Sequence, residues 1–127
     1  MTIADWTLLA MLVLTIGAVA PAKFSGLKEY DNARPRDPAF YTEGFRQRAL
    51  WAHQNCYESL PFFYAAVILA EMRGAPQVAV NALAVGVLVA RVAYVAAYWA
   101  DRSTVRSVVW AVALLLTLGI FIAPLWG

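Results

Sequence analysis

The sequence predicts an all-α integral membrane protein, an up-down bundle of four transmembrane helices. Three observations predict it. Of 127 residues, 62% are hydrophobic and only 14% charged, which is too apolar for an ordinary soluble domain. The apolar residues fall in four long blocks, approximately 3–22, 45–72, 76–100 and 105–126. Each is long enough for a helix to cross a hydrocarbon core of about 30 Å, which takes roughly 20 residues. Two of the three links between blocks are short, as antiparallel neighbours require. Only helices or closed barrels cross lipid, because every backbone polar group must be satisfied internally, and blocks of this length read as helices. Residues 1–127 are expected to form one transmembrane domain.

The first block could be mistaken for a signal peptide. It lacks a basic leading region, carries Asp5, and has Pro21 directly after the cleavage-like Ala18-Val-Ala20, so it reads as a retained span. The link that follows, 23–44, is the only long one. Within it, Asp31-Asn-Ala-Arg-Pro-Arg-Asp-Pro38 is turn chemistry. Asp37 before Pro38 predicts a cap on a short helix leading into the second span. In that span, Pro61 predicts a bend. Arg73-Gly-Ala-Pro76 and residues 101–104 read as tight turns. Trp6, Trp99 and Trp126 suit interfacial belts.

Lys23, Lys28, Arg34, Arg36, Arg46 and Arg48 flank the first link, and Arg102 and Arg106 the third, while the second has only Arg73. The positive-inside rule then expects both basic links in the cytoplasm and both termini outside. In a bacterium this means an inner-membrane protein with periplasmic termini. The basic residues read first as topology control and contact with membrane lipids. A net charge of +2 gives no case for nucleic acid. The single cysteine, Cys56, excludes an internal disulfide and reads as a packing residue. His53 is the only histidine and no Cys/His cluster has ligand spacing, so no metal site is expected; His53 reads as packing on a neighbouring helix.

Two polar stripes interrupt the apolar blocks. Arg48, Trp51, Asn55 and Glu58 share one helical face of the second span, and Arg91, Tyr94 and Tyr98 share one face of the third. A rise of about 1.5 Å per residue puts Asn55 and Tyr94 roughly 10 Å from the same surface, and Glu58 and Arg91 roughly 15 Å. A carboxylate and a guanidinium at one depth in lipid are expected to pair, within a subunit or across an interface. The stripe continues toward the cytoplasm through Asn55, Tyr94 and Tyr98 to Arg106 and Ser107. A structural clasp does not need that extension, whereas a polar pocket open to the cytoplasm does.

At these residues the chain resembles the MAPEG family, the membrane-associated proteins of eicosanoid and glutathione metabolism. Ala52-His-Gln-Asn-Cys-Tyr-Glu-Ser-Leu-Pro-Phe62 is similar to the family's R-A-x-x-N-x-x-E-x-x-P-F. Arg91-Val-Ala-Tyr-Val-Ala-Ala-Tyr98, followed by Arg106-Ser107, is similar to its second motif. The resemblance implies a homotrimer that binds glutathione as co-substrate between subunits, in a cleft facing the cytoplasm. It implies that Asn55, Glu58, Arg91, Tyr94 and Tyr98 line that site. Arg106 would be the catalytic residue that stabilises the thiolate, with Ser107 beside it. The substrate would be a small apolar electrophile or hydroperoxide arriving through the bilayer. The chain departs from the family where Trp51 stands for an arginine and Gln54 for a basic residue; Arg48, one turn away, is the candidate replacement. Those departures keep a second reading open, a non-catalytic trimer binding lipid or another thiol. A third, a small multidrug-type exporter, would carry a glutamate within the first span, where this chain has only Asp5 at the outer end.

Overall fold

The computed structural model describes residues 1–127. It is all-helical, with α1 at Ile3–Gly17, α2 at Ala20–Ser25, α3 at Gly44–Met72, α4 at Gln77–Trp99 and α5 at Ser103–Ile122. Three helical stretches are apolar and long enough to cross a membrane: Ile3–Ser25, Gln77–Trp99 and Ser103–Trp126. The 29-residue α3 is the longest helix but holds Arg46, Arg48, Glu58 and Glu71, which lower its apolar content. It packs against α1, α4 and α5, and α4 makes its most extensive contact with α5.

The expected first span, 3–22, is two helices rather than one. Pro21 offers no N–H to the Gly17 carbonyl, so the helical ladder stops at α1 and restarts at Ala20. Two carbonyls next to the break are taken by other helices. His53 Nδ1 donates to the Thr15 carbonyl at 2.6 Å, which fixes the proton on Nδ1, because a carbonyl only accepts. Trp99 Nε1 donates to the Ala18 carbonyl at 3.0 Å. The expected packing role of His53 is thus a cap on α1, and Trp99 joins it from α4.

At Pro61 α3 continues without interruption. The proline removes one ladder bond, that to the Tyr57 carbonyl. The Asp37–Pro38 expectation holds: residues Pro38–Tyr41 form a 3₁₀ turn, and the Asp37 side chain accepts from the Ala39 N–H at 3.0 Å. The long link folds back on itself. Tyr41 donates to the Pro35 carbonyl at 3.1 Å, and Arg46 pairs with Glu29 while lying over the Phe40 ring. Burial raises the Tyr41 phenol above its usual pKa, with Lys23 opposing, so the phenol stays a donor at neutral pH. Gly74 takes the positive φ of 70° that the 73–76 turn needs.

Small residues line the helix contacts. Ala4, Ala66, Ala70, Ala84 and Ala123 are fully or almost fully buried in the main core with Met11, Phe63, Val67, Val80, Val87 and Ile120. Small side chains let helix backbones approach where lipid supplies no hydrophobic drive between helices. At the end of the bundle away from the basic links, Asn81 accepts from the Ala4 N–H at 3.0 Å and Glu71 accepts from the Thr2 hydroxyl at 2.8 Å. These bonds tie α1 to α3 and α4. The outward faces are apolar: Val13, Ile16, Val89, Val108 and Leu115 are exposed, as lipid contact requires.

Trp99→Phe keeps the ring and deletes the donor to the Ala18 carbonyl. It should lower the unfolding free energy by about 1 kcal/mol, the net value of one such bond. Unfolding in mixed detergent micelles reads this directly, and an unmoved midpoint would remove the indole from its capping role.

Candidate functional site

The site begins with Arg91. Its position on α4 turns the guanidinium into the bundle, where it is only 2% exposed. A charge so placed needs hydrogen-bond partners close by. Arg91 Nη1 donates to Asn55 Oδ1 at 3.0 Å, and Nη2 to Cys56 Sγ at 3.2 Å. The guanidinium carbon lies 4.2 Å from the centre of the Tyr94 ring. The Nε of Arg91 has no partner within the chain.

The expected direct pair of Glu58 with Arg91 does not form within the chain. Asn55 stands between them: its Oδ1 accepts from Arg91, and its Nδ2 donates to Glu58 Oε2 at 3.3 Å. Depth along the helix put the two charges at one level, but rotation about the helix separates them. Asn55 faces α4, while Glu58, three residues further on, is exposed and reaches only the amide. The matched level of Asn55 and Tyr94 likewise resolves into contacts of both with Arg91.

From Arg91 a ladder of cations and rings runs toward the α4–α5 turn. Tyr94 and Tyr98 meet edge to face with centroids 5.5 Å apart, and the Arg106 guanidinium lies 4.5 Å from the centre of the Tyr98 ring. Trp51 meets Tyr98 at 6.4 Å. Such arrangements favour a cation over a ring face and tilted rings over flat sandwiches. Arg106 is brought there by its place in the first turn of α5, directly after the turn at Asp101 with φ 57°.

Together these side chains line an open cleft formed by Trp51, Gln54, Asn55, Glu58, Tyr94, Tyr98 and Arg106. Five of the residues singled out from sequence therefore meet there: Asn55, Glu58, Tyr94, Tyr98 and Arg106. Arg91 is buried behind it, bonded to Asn55 and lying over the Tyr94 ring. Arg48 and Ser107 lie outside the lining. Arg48 Nη2 is turned to the Trp99 carbonyl at 3.4 Å, and Ser107 is exposed on α5. Trp51 and Gln54, which sequence reasoning leaves outside the site, are part of the wall. Trp51 already lay on the stripe with Asn55 and Glu58, which is the signal that could have included it.

A second cavity, of about 250 Å³, adjoins the cleft and shares Asn55 and Glu58 with it. Arg91, Ser59 and Thr117 add polar atoms, and the rest of its wall is apolar, including Met11, Phe62, Phe63, Val87, Trp110 and Leu114. Trp110 is one turn from Arg106 on α5, so the two cavities meet along one face of that helix. Nothing in the sequence periodicity marked this apolar cavity, because its wall is drawn from four helices.

Among known proteins, the model of the MAPEG family matches residues 3–126. No curated protein and no solved structure matches the chain.

Asn55→Ala should destabilise the protein by about 2 kcal/mol, because it removes a hydrogen bond to a buried guanidinium. Glu58→Gln, at an exposed carboxylate, should cost clearly less. Unfolding of both variants in the same micelles checks the order, and the reverse order would restore the direct Glu58–Arg91 pair.

Proposed function

Because the chain belongs to the MAPEG family, we propose that it is a membrane-embedded, glutathione-dependent transferase or peroxidase. The observation that carries this reading is the junction of two unlike cavities at Asn55 and Glu58. One is polar and open, suited to a small charged thiol. The other is mostly apolar and suited to a lipid-soluble partner. A reaction between a water-soluble thiol and a bilayer-soluble electrophile needs that junction.

In this reading Glu58 receives the ammonium of glutathione, while Asn55, Tyr94 and Tyr98 shape the cleft over Arg91. Arg106 faces the thiol. A free thiol has a pKa near ~8.5, and a neighbouring cation lowers it. Each unit of lowering corresponds to about 1.4 kcal/mol of preference for the thiolate. The N-terminal dipole of α5 adds to the arginine's effect. The thiol proton leaves through the open side of the cleft. The sulfur then forms a bond to the electrophile, whose displaced electron pair departs with the leaving group or takes a proton from water. Arg48 and Ser107 are outer candidates at the margin of this site.

The same reading takes the protein as a homotrimer with the cleft between subunits, in contact with membrane lipids through its apolar outer faces. It takes both basic links as cytoplasmic and both termini as periplasmic, in a bacterial inner membrane. The charge asymmetry of the links supports that orientation. Family membership displaces the exporter reading. One observation favours a non-catalytic relative that binds lipid or another thiol: Trp51 and Gln54 form a neutral wall, and Arg106 is the one arginine lining the open cleft.

Titration with glutathione, followed by thiolate absorbance in the ultraviolet, separates the two. The catalytic reading predicts a thiolate signal at neutral pH that Arg106→Ala abolishes and Arg106→Lys partly keeps. No signal at saturating glutathione would leave the non-catalytic reading standing.

A further inference from the structure

The apolar cavity of about 250 Å³ has an open end and a closed one. Glu58 and Phe62 on α3, with Trp110 and Leu114 on α5, line it and are exposed, so they form its mouth. Met11, Phe63 and Val87 line it and are at most 2% exposed, so they form its floor. Met11 is the one residue that α1 gives to the wall, and α1 packs on α3 and α4. Its thioether therefore closes the end that lies away from α5. These floor side chains are buried within one chain. A neighbouring subunit can cover the mouth without changing the floor.

The polar groups gather where the cavity meets the cleft, since Asn55 and Glu58 line both. Further along the wall, the hydroxyls of Ser59 and Thr117 donate to the carbonyls of Cys56 and Ala113 on their own helices. A ligand would thus keep its polar group beside the cleft and turn its tail toward Met11. A polar group gains hydrogen-bond partners there that hydrocarbon does not offer. The tail gains little on leaving lipid, which is as apolar as the cavity. Its length is decided by the floor, because extra methylenes forced into a closed apolar space cause strain. At ~30 Å³ for the share of one water, 250 Å³ holds roughly eight non-hydrogen atoms.

We propose that this cavity is a blind tail pocket for electrophiles with one polar group and an unbranched tail of roughly eight non-hydrogen atoms, and that Met11 sets the length. This rests on the thiol reading above and narrows the electrophile it takes.

Photolabelling with n-alkanols that carry a diazirine at the tail end tests it without any thiol. The full chain in lipid nanodiscs is labelled with an octanol and with a dodecanol of this kind, and the labelled residues are mapped by mass spectrometry. In the wild type, the octanol should label Phe63 and Val87 several-fold more than the dodecanol at equal concentration in the bilayer. Unlabelled octanol should compete. Met11→Ala extends the closed end, so it should raise dodecanol labelling several-fold and leave octanol labelling in place. A merely structural loss would move both probes together. Equal labelling of the floor by both alkanols in the wild type, or labelling by neither, would overturn the proposal whether or not the variant folds. Unchanged discrimination in folded Met11→Ala would overturn the role of Met11. The absence of a thiolate signal with glutathione would overturn the thiol reading, whereas these labelling results bear on the pocket alone.

Discussion

A guanidinium sealed inside an apolar helical bundle is the constraint on which the rest of the structure depends. Burying a charge carries an effective penalty of several kcal/mol unless hydrogen bonds and nearby opposite charge offset it. Arg91 meets this with an amide oxygen, a sulfur and an aromatic face rather than with a carboxylate in contact. The only acidic group within reach, Glu58, is joined to it through Asn55. The arginine therefore orients the amide, and the amide orients the carboxylate. The polar wall of the cleft follows from a requirement of the core.

The remaining architecture holds that arrangement in register. Two carbonyls of the first span next to the break at Pro21 are taken by His53 from α3 and Trp99 from α4. His53 precedes Asn55 by two residues, and Trp99 follows Tyr98 directly. The capping of α1 thus fixes the rotation of the two helices that carry the polar stripes. The Trp99 carbonyl also accepts from Arg48 Nη2 at 3.4 Å, while the Nε of Arg48 has no partner within the chain. The turn at Asp101 then brings Arg106 over Tyr98. Packing of small residues elsewhere in the bundle lets these helices lie close enough for such short contacts.

Much of this was legible in the sequence, and the limits have a physical cause. Long apolar blocks and their links marked the four-helix layout, and Asp37-Pro38 marked its short turn. Spacing of three and four residues placed Asn55 with Glu58 and Tyr94 with Tyr98, because helical period is a local property. Counting rise gave depth, also local. Which side chain reaches across to the next helix is not local, since it depends on the rotation of each helix about its axis. That is why Glu58 and Arg91 matched in depth yet meet only through Asn55. It is also why Arg48, on the correct stripe, turns to the Trp99 carbonyl, and why an apolar cavity assembled from four helices left no mark. The break in the first span was written in Pro21, but the length of the apolar block hid it.

The central claim is that Asn55 carries the coupling between Arg91 and Glu58. A double-mutant cycle of Arg91→Met and Glu58→Gln, read as unfolding free energy in micelles, tests it most directly when run with Asn55 present and again with Asn55→Ala. The account predicts a coupling of about 0.5–3 kcal/mol with Asn55 in place, the range for residues in one network, and none without it. A coupling that survives the loss of Asn55, or none when Asn55 is present, would contradict it.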